Sequence, residues 1–264
     1  MLYYPQLTSG AVCQLPVTQL TSIRTISNEL AGGDTIAMAD PNDGIMRWQL
    51  QYSGLTDAEW SSIEQLFEAV EGRLTTFTFL DPTDNLLMWS ESWTNSVWMA
   101  DPMLQIVAGS QDPIGANNAM QLTNTSQTTQ RIMQTIAGPS WFQYCFSVYL
   151  RSDVSSLVQL VASAGDHDSL TAISTGPNWF RAVWSGSLDI VQDGIAFGVQ
   201  LPAGARIQAF GGQVEAQGAP SQYKKTIDLA GVYSNTRFDS DSLILRTTAP
   251  NQNSGTVNLY ASVV

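Results

Sequence analysis

The chain has 264 residues, of which 44% are hydrophobic, enough to build one large domain or two smaller ones. Its 23 acidic and 11 basic residues give a formal net charge of −12, which disfavours binding to nucleic acid or to an anionic membrane surface. No apolar segment approaches the ~20 residues that cross a bilayer, so membrane insertion is not expected. The N-terminus shows no secretory signal pattern, and we expect synthesis and assembly in a cytoplasm.

The first part of the chain is predicted to be rich in β-structure. Apolar and polar residues alternate from Ile45 to Tyr52, as they do in a strand with one buried face. Strands are predicted near residues 11–18, 21–27, 44–53 and 74–80.

A single helix is predicted near residues 57–71. Thr56 and Glu59 have the spacing of a capping box, and Gly72 stands where helices commonly end. Apolar residues recur at intervals of three and four, which predicts a helix face that packs on a sheet. This face consists of Trp60, Ile63, Leu66, Phe67 and Val70.

The composition changes after Asp81-Pro82. Between Pro113 and Leu150 the only charged residue is Arg131, and six of the eight tryptophans lie between Trp89 and Trp184. A second β-sandwich is therefore predicted to begin near residue 88. Its strands are predicted near residues 142–150, 155–162, 178–184 and 205–214, and two further strands near 242–247 and 255–263.

The helix and the strand after it resemble a segment of a phage protein family. Leu55-Thr56-Asp57-Ala58-Glu59-Trp60 and Phe77-Thr78-Phe79-Leu80-Asp81-Pro82 are similar to the N-terminal β-sandwich of distal tail proteins of tailed bacteriophages, over roughly residues 40–87. The resemblance implies a homo-oligomeric ring, usually hexameric, that contacts tail tube, hub and tape-measure proteins. It also implies location in the virion tail and assembly in the host cytoplasm.

A second resemblance covers roughly residues 85–226. An ordered series of motifs is similar to the jelly-roll carbohydrate-binding-like modules of phage tail and fibre proteins. The series comprises Asn85-Leu86-Leu87, Trp93, Trp98, Asn118-Ala119-Met120-Gln121-Leu122-Thr123, Phe146-Ser147-Val148-Tyr149-Leu150-Arg151, Phe210-Gly211-Gly212-Gln213-Val214-Glu215-Ala216 and Ser221-Gln222-Tyr223-Lys224-Lys225-Thr226. The resemblance implies a jelly roll and a host surface glycan as its ligand.

Together the two resemblances predict a mostly β protein of two β-sandwich domains. Residues 1–87 with 229–264 would form the ring sandwich with its packed helix, and residues 88–228 an inserted jelly roll. The alternative is that residues 229–264 complete the second domain instead.

Catalytic and metal-binding patterns are sparse. His167, between Asp166 and Asp168, could serve in acid–base or metal chemistry, but the Gly- and Ser-containing surroundings favour a solvated turn. A glycosidase needs two carboxylates about 5 to 10 Å apart, for which the candidates are Asp189, Asp193 and Glu215. Solvated or strand-edge carboxylates are the favoured interpretation, and no catalytic residue, metal or cofactor is predicted. Cys13 and Cys145 are expected to be unbridged, partly buried thiols.

Tryptophan rings are the candidates for glycan binding, because sugar C–H faces stack on aromatic rings. The candidates are Trp93, Trp98, Trp179 and Trp184; the alternative interpretation places these rings in the core of the sandwich. The opening segment Leu2-Tyr3-Tyr4-Pro5 is predicted to pack on a neighbouring subunit.

The sequence thus predicts a structural virion protein, a distal-tail-like adaptor with an inserted module that binds host glycan. The alternative is a receptor-binding or fibre protein whose sugar-binding domain is its main function. A glycan-cleaving tail enzyme is a third, weaker interpretation.

Overall fold

The computed structural model describes residues 1–263, except for the side chains of residues 41–43. The fold class is confirmed: the chain is mostly β with one helix. The strands, in chain order, are β1 (Val17–Glu29), β2 (Thr35–Leu55), β3 (Phe77–Leu80), β4 (Met99–Ala100), β5 (Leu104–Ser110), β6 (Ala119–Asn124), β7 (Gln130–Pro139), β8 (Tyr144–Arg151), β9 (Ser156–Ala164), β10 (His167–Thr175), β11 (Phe180–Gly186), β12 (Asp193–Leu201), β13 (Arg206–Glu215), β14 (Val232–Phe238), β15 (Leu245–Ala249) and β16 (Gln252–Val263). The helix α1 spans Asp57–Ala69 and is too short and too polar to cross a membrane.

Contacts divide the chain into two compact units. Unit 1 comprises Met1–Thr8, Cys13–Phe79 and the residues from Tyr233 onward. Unit 2 comprises Ser9–Val12 and Leu80–Val232. In the sequence, therefore, most of unit 2 is inserted between two segments of unit 1. Cys13 and Cys145 are both buried thiols.

Unit 1 contains one sheet, in the order β1-β2-β16-β14-β3, with β15 also paired to β16. The C-terminal strand β16 runs antiparallel to β2 over almost its full length, from Asn253 opposite Leu55 to Val263 opposite Gly44. The fully buried Trp48 of β2 packs edge-on against Phe79 and Tyr233, at centroid distances of 5.1 and 4.7 Å. The core therefore joins residues from both ends of the chain.

The helix begins where its capping box predicts. The Glu59 N–H donates to Thr56 Oγ1 at 3.2 Å, and the Thr56 N–H donates to Glu59 Oε2 at 2.9 Å. Trp60, Ile63 and Val70 are buried, and the partly exposed Phe67 packs edge-on against Phe238 at 5.0 Å. A Cβ atom on Gly255 of β16 would collide with the Trp60 ring, so glycine at this position lets the helix approach the sheet.

The N-terminal segment packs within its own chain. Tyr4 is 1% exposed, contacts the rings of Phe77 and Phe79, and its N–H donates to Thr78 O at 2.9 Å. The prediction that this segment covers a neighbouring subunit is therefore wrong for Tyr4, because the side chain is already buried.

The β1–β2 hairpin extends beyond the rest of the unit 1 sheet. β16 pairs with β2 as far as Gly44, whereas β1 continues to pair with β2 from Thr25 opposite Ala39 to Glu29 opposite Thr35. We call residues 24–40 the arm. Since no residue of β1 is buried, this two-stranded ribbon is open to solvent on both faces.

Unit 2 is a jelly roll of two five-stranded antiparallel sheets. The order is β10-β9-β12-β7-β4 in the one we call the back sheet and β11-β8-β13-β6-β5 in the one we call the front sheet. Phe197 of the back sheet contacts the rings of Tyr144, Phe146 and Trp184 of the front sheet at 5.4, 6.1 and 5.8 Å. These buried rings form the core between the sheets.

Several predicted strands differ from those observed. The strands predicted at 11–18 and 21–27 are one strand, β1, and residues 11–16 lie outside it. His167 begins β10, and the turn before it is Gly165-Asp166, with Gly165 at a positive φ of 55°. The solvated turn predicted around His167 is therefore shorter, because Asp168 and Ser169 pair with β9.

Candidate functional site

Trp93 and Trp98 form a buried stack. Their ring centroids lie 4.6 Å apart, and only 1% and 4% of their surfaces are exposed. Their indole N–H groups donate to Ser90 O and Trp89 O at 3.0 and 3.1 Å. The prediction that these two rings bind sugar is wrong, because neither offers a free face.

Trp184 is also a core residue. It is 2% exposed, and its indole N–H donates to Ser169 Oγ at 3.1 Å. In the front sheet it stands opposite Phe146, and both side chains point to the inner side. Its predicted role in glycan stacking is likewise wrong.

Trp179 differs from the other three candidates. It is partly exposed and lies immediately before β11. The guanidinium carbon of Arg151 lies 5.0 Å from the centroid of its ring, which is a cation–π contact. Of the predicted tryptophans, this is the one that the structure places at the surface beside a charged group.

Polar side chains continue from Trp179 across the outer side of the front sheet. Arg151 of β8 stands opposite Gln208 of β13, and Gln208 stands opposite Gln121 of β6. Arg151 Nε donates to Gln208 Oε1, and Arg206 Nη2 donates to Gln121 Oε1 at 2.5 Å. We call Arg151, Gln208, Gln121 and Arg206 the Arg–Gln row.

The strand pattern explains why this row faces outward. Ile207 and Ala209 flank Gln208 and are buried between the sheets, so Arg206 and Gln208 point to the opposite side. This alternation was readable in the sequence once β13 was recognised. The sequence could not reveal the pairing that sets Gln208 beside Arg151 and Gln121, because register depends on the partner strands.

Another part of the outer face is closed by an aromatic cluster. Tyr223 packs on Phe210 and Tyr149 at centroid distances of 5.6 and 6.4 Å, and its hydroxyl lies 2.9 Å from Ser90 Oγ. Burial raises the pKa of the Tyr223 phenol well above its ordinary value. Gly211 has a φ of +66°, and a Cβ atom there would lie 3.0 Å from the Tyr223 ring. Tyr223 therefore covers this part, whereas the Arg–Gln row is partly exposed, with Arg206 its most exposed member.

The arginines of this face lack acidic partners. In the described part of the chain, Arg151, Arg181 and Arg206 make no ion pair with a carboxylate. Arg181 donates to Ser147 Oγ at 2.8 Å and lies over the Tyr149 ring at 5.7 Å. A protein of net charge −12 thus carries a locally positive surface here.

The outer face of the back sheet carries a different polar network. Arg131 of β7 forms an ion pair with Asp168 of β10 at 2.7 Å, although two strands, β12 and β9, lie between them. Strand spacings are ~4.8 Å, so side chains of this length meet only where the sheet curves inward. Arg131 Nε also donates to Gln200 Oε1 at 2.6 Å. This concave face therefore holds its charges in internal pairs.

Partial burial raises the pKa of Asp168, but hydrogen bonds from Arg131 and Ser163 outweigh burial and lower the pKa below its ordinary value. The carboxylate is therefore held in its charged form against Arg131. Asp168 thus serves as the partner of Arg131, and among the described residues no group of three or more His, Cys, Asp or Glu side chains could hold a metal ion.

The predicted carboxylate candidates do not share one environment. Glu215 is 3% exposed and accepts hydrogen bonds from the Ser221 N–H and from Gln217 Nε2, at 3.0 and 3.1 Å. Asp189 and Asp193 are exposed. Glu215 thus fixes the segment after β13, a structural contact.

Comparison with solved structures finds sandwich domains of similar fold. The CBM22-1 xylan-binding domain of Paenibacillus barcinonensis Xyn10C is 10% identical, with a TM-score of 0.39, over 47% of this chain and 87% of that chain. The C-terminal family 22 carbohydrate-binding module of Clostridium thermocellum Xyn10B is 11% identical, with a TM-score of 0.43, over 53% and 99%.

A phage protein is also similar. The enzymatically active domain of bacteriophage CBA120 tailspike protein 4 is 12% identical, with a TM-score of 0.41, over 52% of this chain but 22% of that chain. No protein-family model and no curated protein sequence matches the chain, so the resemblance to distal tail proteins rests on the residues that carry it.

Proposed function

We propose that this chain is a structural virion protein, a distal-tail-like adaptor that assembles through unit 1 into a six-fold ring. The observation that carries the proposal is the arm, a ribbon exposed on both faces and lined with apolar side chains. The ring joins the tail tube to the hub and tape-measure proteins of the virion tail, as the resemblance to distal tail proteins implies.

One face of the arm is suited to burial against a second copy. Ile26 stands opposite Met38, and Ile36 lies two residues before Met38 on the same side of β2. Ile36 and Met38 are 47% and 50% exposed. A clustered apolar surface of this kind commonly marks a site of protein association.

The backbone of the arm also favours association with a second copy. An isolated two-stranded hairpin is at best marginally stable in water, and unpaired strand edges invite pairing with another chain. The edge of β1 also exposes Leu20 and Ile23, at 56% and 76%. Contact between the arm of one copy and another surface of the next is heterologous, and such contacts close into rings when the rotation allows.

Unit 2 supplies the second part of the proposal, binding of host surface glycan. Trp179 offers a partly exposed ring, and the Arg–Gln row beside it offers amide and guanidinium groups for hydroxyls. Several copies in one ring would convert weak single-site binding into useful avidity.

A receptor-binding or fibre protein is the second candidate function, and the partly exposed Trp179 beside Arg151 favours it. The two functions differ in assembly, since fibre proteins are expected to be trimeric and the adaptor six-fold.

Assembly through the arm is tested by the mass and shape of the full chain. Native mass spectrometry and electron microscopy of the full chain should show a six-fold ring, and Ile36→Ser with Met38→Ser should shift it towards monomer because the apolar face is lost. Leu157→Ser, which replaces a 62% exposed leucine in unit 2, is the control and should leave the ring intact. A monomer at all protein concentrations, or a ring that the double variant leaves unchanged, would contradict the proposal; a trimer would favour the fibre protein.

A further inference from the structure

We propose that Trp179 and the Arg–Gln row bind a sugar that carries an anionic group, a carboxylate or a phosphate. The inference rests on the proposed glycan-binding role of unit 2 and specifies the class of its ligand. The sugar ring would lie against the exposed part of Trp179, and its anionic group would accept hydrogen bonds from Arg151 and Arg206.

Arg151 and Arg206 both have unused hydrogen-bond donors. Within the described residues, Arg151 donates through Nε, and neither of its Nη groups has a protein acceptor. Arg206, which is exposed, donates through Nη2 to Gln121 and has no other protein acceptor there. A guanidinium has five N–H donors in a fixed fork that matches carboxylate and phosphate oxygens.

The two guanidinium groups are held in place by hydrogen bonds. Both are held by glutamine side chains of neighbouring strands, Arg151 by Gln208 and Arg206 by Gln121. Gln208 and Gln121 are themselves opposite each other on adjacent strands, where backbones lie ~4.8 Å apart. The guanidinium groups are thus oriented before a ligand arrives, which lowers the entropic cost of binding.

Charge distinguishes this face from that of the back sheet. There Arg131 is neutralised by Asp168 at 2.7 Å, whereas the arginines of the front sheet have no carboxylate partner among the described residues. Hydrogen bonds between charged groups are roughly twice as strong as neutral ones. An anionic sugar therefore gains more from this face than its neutral counterpart does.

Nucleic acid is a poorer ligand for the same face. The net charge of −12 opposes a long polyanion that extends beyond the row, whereas a small acidic sugar meets only the local positive surface.

Titration calorimetry of the full chain at low and high salt tests the proposal. The acidic probes are trigalacturonate, 3′-sialyllactose and glucose 1-phosphate; the comparison probes are trigalacturonate methyl ester, lactose, glucose and a fifteen-residue thymidine oligonucleotide. At least one acidic probe should bind at least tenfold more tightly than the comparison probes, and the binding should weaken with salt. Carboxylate and phosphate ligands are distinguished by which acidic probe binds.

Variants then assign the binding to the row. Arg151→Gln with Arg206→Gln should weaken acidic binding at least tenfold, and Trp179→Ala should weaken it as well. Arg246→Gln, at an exposed arginine of unit 1, is the matched control and should change nothing. If the double variant melts early, Arg206→Gln alone serves, because that side chain is exposed and loses only its contact with Gln121.

Equal binding of a neutral probe overturns the preference for acid but keeps the glycan-binding role. Equal binding of the oligonucleotide overturns the proposal in favour of a general polyanion surface. If no probe binds, or if the double variant binds normally, the site is overturned, whereas ring assembly is judged independently by mass.

Discussion

At the scale of single residues, burial decides which of the predicted tryptophans can contact a sugar. Four rings in a sugar-module-like segment looked equivalent in sequence, yet Trp93, Trp98 and Trp184 lie in the core and only Trp179 reaches the surface. Indole N–H groups are satisfied by backbone or hydroxyl oxygens at the buried positions. Composition could nominate the rings but could not give the register that selects the inner side for Trp184.

Glu59 is predicted to make the stability of unit 1 depend on pH. Burial raises its pKa, but hydrogen bonds from Thr8 and Thr56 outweigh burial and hold the pKa at about 2. The folded pKa is below the unfolded value of about 4.3, so the stabilisation is present above that value and is lost as the pH falls towards 2.

Thermal melting between pH 6 and pH 2 measures this effect. Glu59→Gln should melt earlier than the wild type at pH 6, and the difference should shrink as the pH falls. Glu68→Gln, an exposed change on the same helix, is the control and should keep the wild-type pH dependence. A constant difference between Glu59→Gln and the wild type over the whole range would contradict the prediction.

At the scale of elements, the helix was predictable because its signals are local. The capping box joins residues three apart, and the apolar stripe repeats within one turn. Strands were also predicted at the positions of β8, β9, β11 and β13. β12 was missed although the apolar Phe197, Val199 and Leu201 alternate with other residues, because small residues such as Ala196 and Gly198 between them weaken the contrast. β10 was missed for the opposite reason, since most of its residues are polar or exposed.

Contact between the helix and β16 is predicted to depend on Gly255. Gly255→Ala places a methyl group against the Trp60 ring and the Ile244 carbonyl, and should destabilise unit 1 by about 1–3 kcal/mol. Gly32→Ala, where no atom lies within 4 Å of the added carbon, is the matched control. Urea unfolding monitored by tryptophan fluorescence measures both, and equal stability of the two variants would show that the helix does not rest on this glycine.

At the scale of the whole molecule, the arrangement depends on pairing between distant segments. β16 lies between β2 and β14, and therefore occupies a central position in the unit 1 sheet although it comes last in the chain. Local sequence could predict a strand near 255–263 but not its pairing with β2, since β2 lies about 200 residues earlier in the chain. The two resemblances together, rather than any pattern in the strands themselves, suggested that these residues return to the first domain.

Truncation is predicted to affect the two units differently. A chain that ends at residue 251 lacks β16, which leaves β2 and β14 without their shared neighbour. Calorimetry should then show the loss of one unfolding transition and the retention of the transition of unit 2, which has its own core. Loss of both transitions, or retention of both, would contradict the division described above.

The position of β16 also sets an order for events on the ribosome. Every strand of unit 2 has been synthesised before β16 leaves the exit tunnel, so the jelly roll can fold while β1 and β2 still wait for their neighbour. A prematurely terminated chain would present a folded jelly roll on an unfinished first unit. Synthesis of β16 would then act as a checkpoint, because only a chain that contains this strand can complete the sheet of unit 1.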